Sequence, residues 1–338
     1  MQEIYFRTAP FMRRVCYSSQ RSFMALPRGL MKNRVTILGG GAFGQALAHG
    51  LRKGRKEILV YNRTPKPGMT SRMHEALSFS RHIIMAVAAQ HVRKMLHELA
   101  PFSCDVCFLA SKGIEQDTGL LLSEVASEIL PSCAIGVLGG PNLAAEVYQD
   151  WPCGLTVAAQ DGRVQQLAHS LFSTSSFILE ISSDIIGVQT AGAMKNVMAI
   201  GYGFLQQTCS SENLWASYLV LAVQEVGRLV SALGGARETL LSFSGIGDLI
   251  LTSQSSKGRN SRFGRLWPND AQDLVEGVPT TSAVLKRART LGLDLPLTQG
   301  IYSILNKEMD IALWPHFLSQ SHLWANTQGG ELRTLKNQ

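Results

Sequence analysis

The sequence is short of aromatic side chains, at 7%, and of charge, at 17%, and it has no long apolar run. A membrane-spanning helix needs roughly 18 or more consecutive apolar residues. The best candidate, Trp215 to Val223, is far shorter, which argues against a transmembrane protein. Scarce charge beside 45% apolar residues excludes a largely disordered chain, since disorder needs the opposite balance. Few aromatics and 31 glycines suit many tight strand-to-helix turns better than an all-β sandwich. The six cysteines (Cys16, Cys104, Cys107, Cys133, Cys153 and Cys209) form no disulfide framework. Cys104 and Cys107 make a C-x-x-C, a spacing used for zinc or redox chemistry. No second pair and no histidine cluster accompany it, so the two read as ordinary buried thiols opening an apolar strand, with no metal site. A reducing compartment fits.

Acidic residues are almost missing from the first 34 residues. Arg7, Arg13, Arg14, Arg21, Arg28, Lys32 and Arg34 face only Glu3, a surplus of six out of the chain's net charge of +7. The remaining body is near neutral and lacks the basic footprint of a nucleic-acid binder. The arm, residues 1–33, has three readings: an organelle transit peptide, being Arg-rich, Ser-bearing and acid-poor; a disordered tail; or translation read from too far upstream, with Met24 and Met31 as later starts. A continuous apolar core of a secretory signal is absent. The expected address is cytoplasmic, with organelle import left open if the arm is genuine.

What is present is a dinucleotide-binding pattern. A strand, Arg34 to Leu38, runs into Gly39-Gly-Gly41-Ala-Phe-Gly44, then a helical stretch from Gln45 to Leu51 and a second strand, Glu57 to Tyr61. A G-x-G-x-x-G between strand and helix is the setting the motif requires. Gly39 makes the tight turn, Gly41 lets backbone approach a pyrophosphate, and Gly44 permits close helix–strand packing. Further strands read as His82 to Val87, Val106 to Ala110, Ala134 to Leu138 and Leu155 to Ala158, with helices over Val92 to Leu99 and Leu120 to Leu130. Short apolar strands alternating with helices predict a parallel sheet covered on both faces. After about Ser183 the texture becomes helical, with long periodic stretches at Ile185 to Gln206 and Leu214 to Leu233 and shorter ones at Thr281 to Leu291 and Thr298 to Asn306. At 338 residues, two domains are expected. The division is 34–183 for an α/β, Rossmann-like doubly wound sheet and 184–338 for an all-α substrate-binding domain.

Three places carry candidate chemistry. The second strand ends Tyr61-Asn62-Arg63-Thr64, without the carboxylate that binds the ribose hydroxyls of NAD. An Arg there accommodates a 2′-phosphate, which favours NADP, or it merely faces water. Lys195-Asn196 sits inside the apolar Gly192-Ala-Met-Lys-Asn-Val-Met-Ala; such a lysine either snorkels or is held in a site where burial tunes it for acid–base work. Asp248, after a G-x-G turn, reads as a helix cap, and Gly258-Arg259-Asn260 as either a phosphate-binding fork or a solvated loop.

Several longer runs resemble the bacterial-type NAD(P)-dependent glycerol-3-phosphate dehydrogenase family. They are Ser111-Lys-Gly-Ile-Glu-Gln-Asp-Thr-Gly119, Gly139-Gly-Pro-Asn-Leu-Ala144, Gly187 through Gly201, Ser244 through Thr252 and Gly258 through Gly264, followed by Val275-Glu-Gly277 and Leu295-Pro-Leu-Thr298. The resemblance spans about residues 34–310. It implies a C-terminal domain of the 6-phosphogluconate-dehydrogenase C-terminal-like type. It further implies reversible reduction of dihydroxyacetone phosphate to sn-glycerol 3-phosphate, serving glycerophospholipid synthesis. Lys195 would be the acid–base group, Lys112 would contact cofactor and substrate, and Asp248 and Thr252 would orient them. Gly140, Asn142, Asn196, Gly258, Arg259 and Asn260 would hold substrate, Arg259 and Asn260 as the phosphate clamp. Ala42, Phe43, Arg63, Lys112, Ala144, Arg259, Leu274 and Glu276 would join the glycines on NAD or NADP. The implied partner is a small molecule, with no nucleic acid and with a homodimer left open.

The sequence departs from the family pattern in places. Residues 65–81 are abbreviated, Ala89-Gln90 stands for an expected Pro-Ser, Asn142 for a common Thr and Gly258 for a common Ser. The stretch from Leu266 to Leu274 is also shortened. Two other functions are compatible with the same residues: a two-domain reductase of another small oxo or hydroxy acid, and a non-catalytic dinucleotide sensor.

Overall fold

In a computed structural model, which describes residues 34–173, 176–269 and 275–320, the first part of the chain alternates strand and helix. The order is β1 (Arg34–Leu38), α1 (Ala42–Lys53), β2 (Glu57–Tyr61), α2 (Met73–Phe79), β3 (His82–Met85), α3 (Val92–Leu99), β4 (Val106–Leu109), α4 (Leu122–Ile129), β5 (Ala134–Gly139), α5 (Ala144–Tyr148), β6 (Cys153–Ala158), α6 (Gly162–Phe172) and β7 (Phe177–Ser182). The basic arm and Leu274 lie outside the described residues.

The strands make one sheet in the order β2-β1-β3-β4-β5-β6-β7. All neighbours run parallel except β5 and β6, which pair antiparallel. That reversal departs from the all-parallel expectation, and α6 and β7 add elements that the apolar-run reading passed over. Strand β7 escapes that reading because, as an edge strand, it leaves Ile178 and Ile181 exposed and lacks the continuous burial of the central strands. In β1, β3 and β4, alternate residues enter two different cores. Val35, Ile37, Ile84 and Phe108 pack on one face, and Leu38, Ile83, Met85 and Leu109 on the other. Helices cover both faces, which is why these strands read as uninterrupted apolar runs.

The helical part contains α7 (Ile185–Thr208), α8 (Glu212–Ala232), α9 (Asp248–Gln254), α10 (Arg259–Leu266), α11 (Gly277–Thr290), α12 (Pro296–Leu305) and α13 (Trp314–Leu318). Asp184 starts α7 by accepting from Gly187 N at 2.8 Å, and its other oxygen holds Ala236 N and Thr239 Oγ1. Helix α7 is apolar on every side, the signature of a helix buried at the centre of its domain. A side chain at Gly203 would strike the backbone of Ser261, 2.2 Å away, so glycine here sets how closely α10 crosses α7. That crossing carries Arg259 and Asn260, at the head of α10, to the flank of the helix bearing Lys195.

Candidate active site

The order β2-β1-β3 places the crevice of the sheet beyond the carboxyl ends of β1 and β3, where doubly wound folds bind nucleotides. The glycine turn occupies that position. Gly39 has φ +122°, and a Cβ there would lie 2.3 Å from Ala86 O; one on Gly44 would lie 1.9 Å from Gly39 O. Gly41 differs, with no atom within 4 Å of where a side chain would project. Helix α1 starts at Ala42 and has no side-chain cap, so its first N–H groups face an open space suited to an anion. The turn and the first turn of α1 therefore fit a dinucleotide pyrophosphate.

The polar centre assembles from three elements. Lys112 follows β4, Lys195 lies midway along α7, and Asp248 is the first residue of α9. Asp248, 1% exposed, accepts from Lys112 Nζ at 2.6 Å and from Lys195 Nζ at 2.5 Å. Lys195 also donates to Thr252 Oγ1 at 2.9 Å. The expectation that Asp248 is a plain helix cap is thereby corrected: its carboxylate points inward and ties the sheet to the helical domain. Lys112's stem runs alongside Gly192, one turn before Lys195, and its ammonium lies 5.8 Å from the Phe43 ring centroid in the glycine turn. It donates besides to Gly140 O at 3.0 Å.

Burial sets the proton affinities. Lys195 is lowered to about 8, chiefly by loss of water and further by Lys112, against the opposing pull of Asp248. For Asp248, burial works upward, but the two ammonium groups outweigh it and hold the carboxyl below its ordinary value. Burial pushes Glu276, at the head of α11, upward, partly offset by Arg259, Lys195 and Lys112.

Gly258-Arg259-Asn260 is not a solvated loop. Gly258 precedes α10, and the next two residues form its first turn. Asn260 is buried and both ends of its amide are hydrogen-bonded: Nδ2 donates to Asn196 Oδ1 at 2.9 Å, and Oδ1 accepts from Gly277 N at 3.0 Å. Asn196 in turn donates to Glu276 Oε2 at 3.5 Å. Arg259 is exposed and has no ion pair among the described residues. Across the cleft, Gly140 adopts φ +120° and Asn142 Nδ2 donates to Gly154 O, leaving Asn142 Oδ1 buried without a partner among the described residues. Ala144 opens α5 and packs in the apolar cluster that also holds Phe43.

Two residues escaped the sequence reading. Gln90, noted only as a departure, donates to Ile114 O at 3.0 Å and accepts from Gln116 N at 2.9 Å, clamping the loop that carries Lys112. Lys66, in the abbreviated segment, reaches Gly40 O at 3.4 Å beside the glycine turn. Arg63, the second residue after β2 on the same segment as Asn62 and Lys66, is exposed and likewise has no ion pair among the described residues.

With this geometry in hand, comparison with known proteins is decisive. Residues 184–315 match the model of the NAD-dependent glycerol-3-phosphate dehydrogenase C-terminus, and 68–165 that of its N-terminus. The glycerol-3-phosphate dehydrogenase [NAD(P)+] of Rhodospirillum rubrum is 30% identical over 313 residues, covering 82% of this chain and 90% of that protein. The chain belongs to the NAD(P)-dependent glycerol-3-phosphate dehydrogenase family. The Klebsiella pneumoniae member is 32% identical over 307 residues, covering 80% of this chain and 91% of its own. A crystal structure of glycerol-3-phosphate dehydrogenase from Coxiella burnetii superposes with TM-score 0.79 at 25% identity, covering 86% of this chain and 99% of that one. The chain is accordingly an oxidoreductase of a family that uses NAD or NADP. Among the described residues no helix is long and apolar enough to cross a membrane.

Proposed function

We propose that the protein catalyses reversible NAD(P)H-dependent reduction of dihydroxyacetone phosphate to sn-glycerol 3-phosphate, a step that supplies glycerophospholipid synthesis. The observation that carries this reading is the single buried carboxylate of Asp248 holding both Lys112 and Lys195 beside the glycine turn. Three cations, Lys112, Lys195 and Arg259, face the carboxylates of Asp248 and Glu276. The cations outnumber the two carboxylates, so the cleft keeps positive charge for a doubly charged phosphate ester.

Lys195 donates its proton to the substrate's C2 oxygen during reduction and recovers it during oxidation. Its charge also stabilises the developing alkoxide. Asp248 and Thr252 hold the Lys195 ammonium at one position. Lys112 spans the cofactor and substrate sides, and Gly140 and Asn142 border the ketone. Arg259 anchors the phosphate together with the free N–H groups at the head of α10, behind Gly258. Asn260 and Asn196 brace that head through their mutual hydrogen bond, and binding remote from C2 orients the reacting carbon. Gly39, Gly41, Ala42, Phe43, Gly44, Ala144, Glu276 and Leu274 would hold the dinucleotide. A bound nicotinamide supplies the hydride. Asn62 in place of a carboxylate, with Arg63 and Lys66 nearby, favours NADPH over NADH.

Rates with dihydroxyacetone phosphate and with dihydroxyacetone, each measured with NADPH and NADH, test the proposal. Efficient turnover of the phosphate ester and poor turnover of the free triose are expected. Equal kcat/KM for the two, or cofactor binding without turnover, contradicts it.

A further inference from the structure

The C-x-x-C spacing that the active site leaves unused has a different partner in three dimensions. Cys104 Sγ lies 3.0 Å from Cys133 Sγ, whereas Cys107 is fully buried on β4. The two contacting thiols stand just before the amino ends of neighbouring parallel strands: Cys104 precedes Asp105, whose carbonyl accepts from Ala134 N at 3.0 Å, and Cys133 precedes Ala134. Hydrogen bonds between the strand ends therefore hold the sulfurs in register. Both cysteines are half-buried and flanked by the exposed Ser103, Pro131 and Ser132, so small molecules reach them. We infer that Cys104 and Cys133 are a modification site that forms an intramolecular disulfide by exchange with a low-molecular-weight disulfide.

With oxidised glutathione as that reagent, one protein thiolate attacks its sulfur and releases a first glutathione thiol. The second cysteine then attacks the mixed disulfide and releases another. The protein loses two hydrogens, and the glutathione disulfide is reduced to two thiols. Approach by about 1 Å brings the sulfurs from contact to bonding distance. The hydrogen bond to Cys133 and burial hold the Cys104 thiol above its ordinary value, so exchange accelerates as pH rises. The cross-link closes a loop containing β4, the Lys112 loop and α4, and it lies at the opposite end of β4 from Lys112. It is thus a stabilising staple, set apart from the chemistry.

The test uses the full chain, fully reduced and then equilibrated with oxidised glutathione at pH 8. Thiols are counted in denaturant, disulfide-linked peptides are mapped, and Tm is measured. The expected result is a loss of two of the six thiols and a peptide pair joining Cys104 to Cys133. Closing a loop of about 30 residues should raise Tm by about 5 °C. Cys104→Ser and Cys133→Ser should abolish all three changes, while Cys107→Ser and Cys153→Ser retain them. A stable glutathione adduct without the internal bond, a pair through Cys107, or no loss of thiols in a folded protein would overturn the inference.

Discussion

The centre around Lys195 and the rim around Arg63 use the same kind of charge in opposite settings. Lys195 is 9% exposed and hydrogen-bonded to Asp248 and Thr252, in a helix with apolar surface on all sides. Arg63 and Lys66 are exposed on the short segment beyond β2, with no carboxylate between Glu57 and Glu75. A low effective dielectric changes what a buried cation is, moving its proton affinity into the working range. At the rim, water and salt screen the charge, which can still choose between ligands that differ by a phosphate. Chemistry should therefore answer to the centre and cofactor choice to the rim.

The sharpest way to break this contrast is Lys195→Ala. It should lower kcat by at least about 100-fold, the usual scale for a positioned acid–base group, with little change in NADPH binding. Near-normal kcat would remove Lys195 from the chemistry. Next in size is Arg259→Ala, which should raise KM for dihydroxyacetone phosphate by about 10- to 100-fold, the range for a lost hydrogen bond to a charged group. An unchanged KM would show that the phosphate sits elsewhere. At the rim, Arg63→Ala should raise KM for NADPH by about 10-fold while leaving KM for NADH and kcat alone, and raised salt should shrink the difference. Equal losses with both cofactors would mean that the rim shapes the fold and does not read the 2′-phosphate.

Much of the fold was legible because its central strands are buried on both faces and read as unbroken apolar runs. The glycine turn was legible for a similar reason, since strand, G-x-G-x-x-G and helix follow one another within the chain. Edge strand β7 was not, because its exposed Ile178 and Ile181 dilute the pattern. At the site, residue types were legible but not their pairing. Lys112 and Asp248 are 136 residues apart, and only the packing of the Phe243–Gly247 turn on β6 and of α9 on α7 brings them together. Lys195 could be recognised as a cation out of place, yet its burial depended on contacts from α9. The first turn of α10 looked like a loop because a Ser- and Gly-rich stretch leads into it, whereas packing against α7 makes it helical. Cys104 pointed to Cys107 by spacing, while strand register delivers it to Cys133.

The pH dependence of kcat/KM in both directions tests the central claim most directly, because it reads the protonation of one group in the free enzyme. Lys195, lowered to about 8, must be charged to donate a proton and neutral to accept one. Reduction of dihydroxyacetone phosphate should therefore fall about tenfold per unit above pH 8, while oxidation of glycerol 3-phosphate falls similarly below it. Profiles that stay flat from about pH 7 to 9.5 in both directions would contradict Lys195 as the acid–base group.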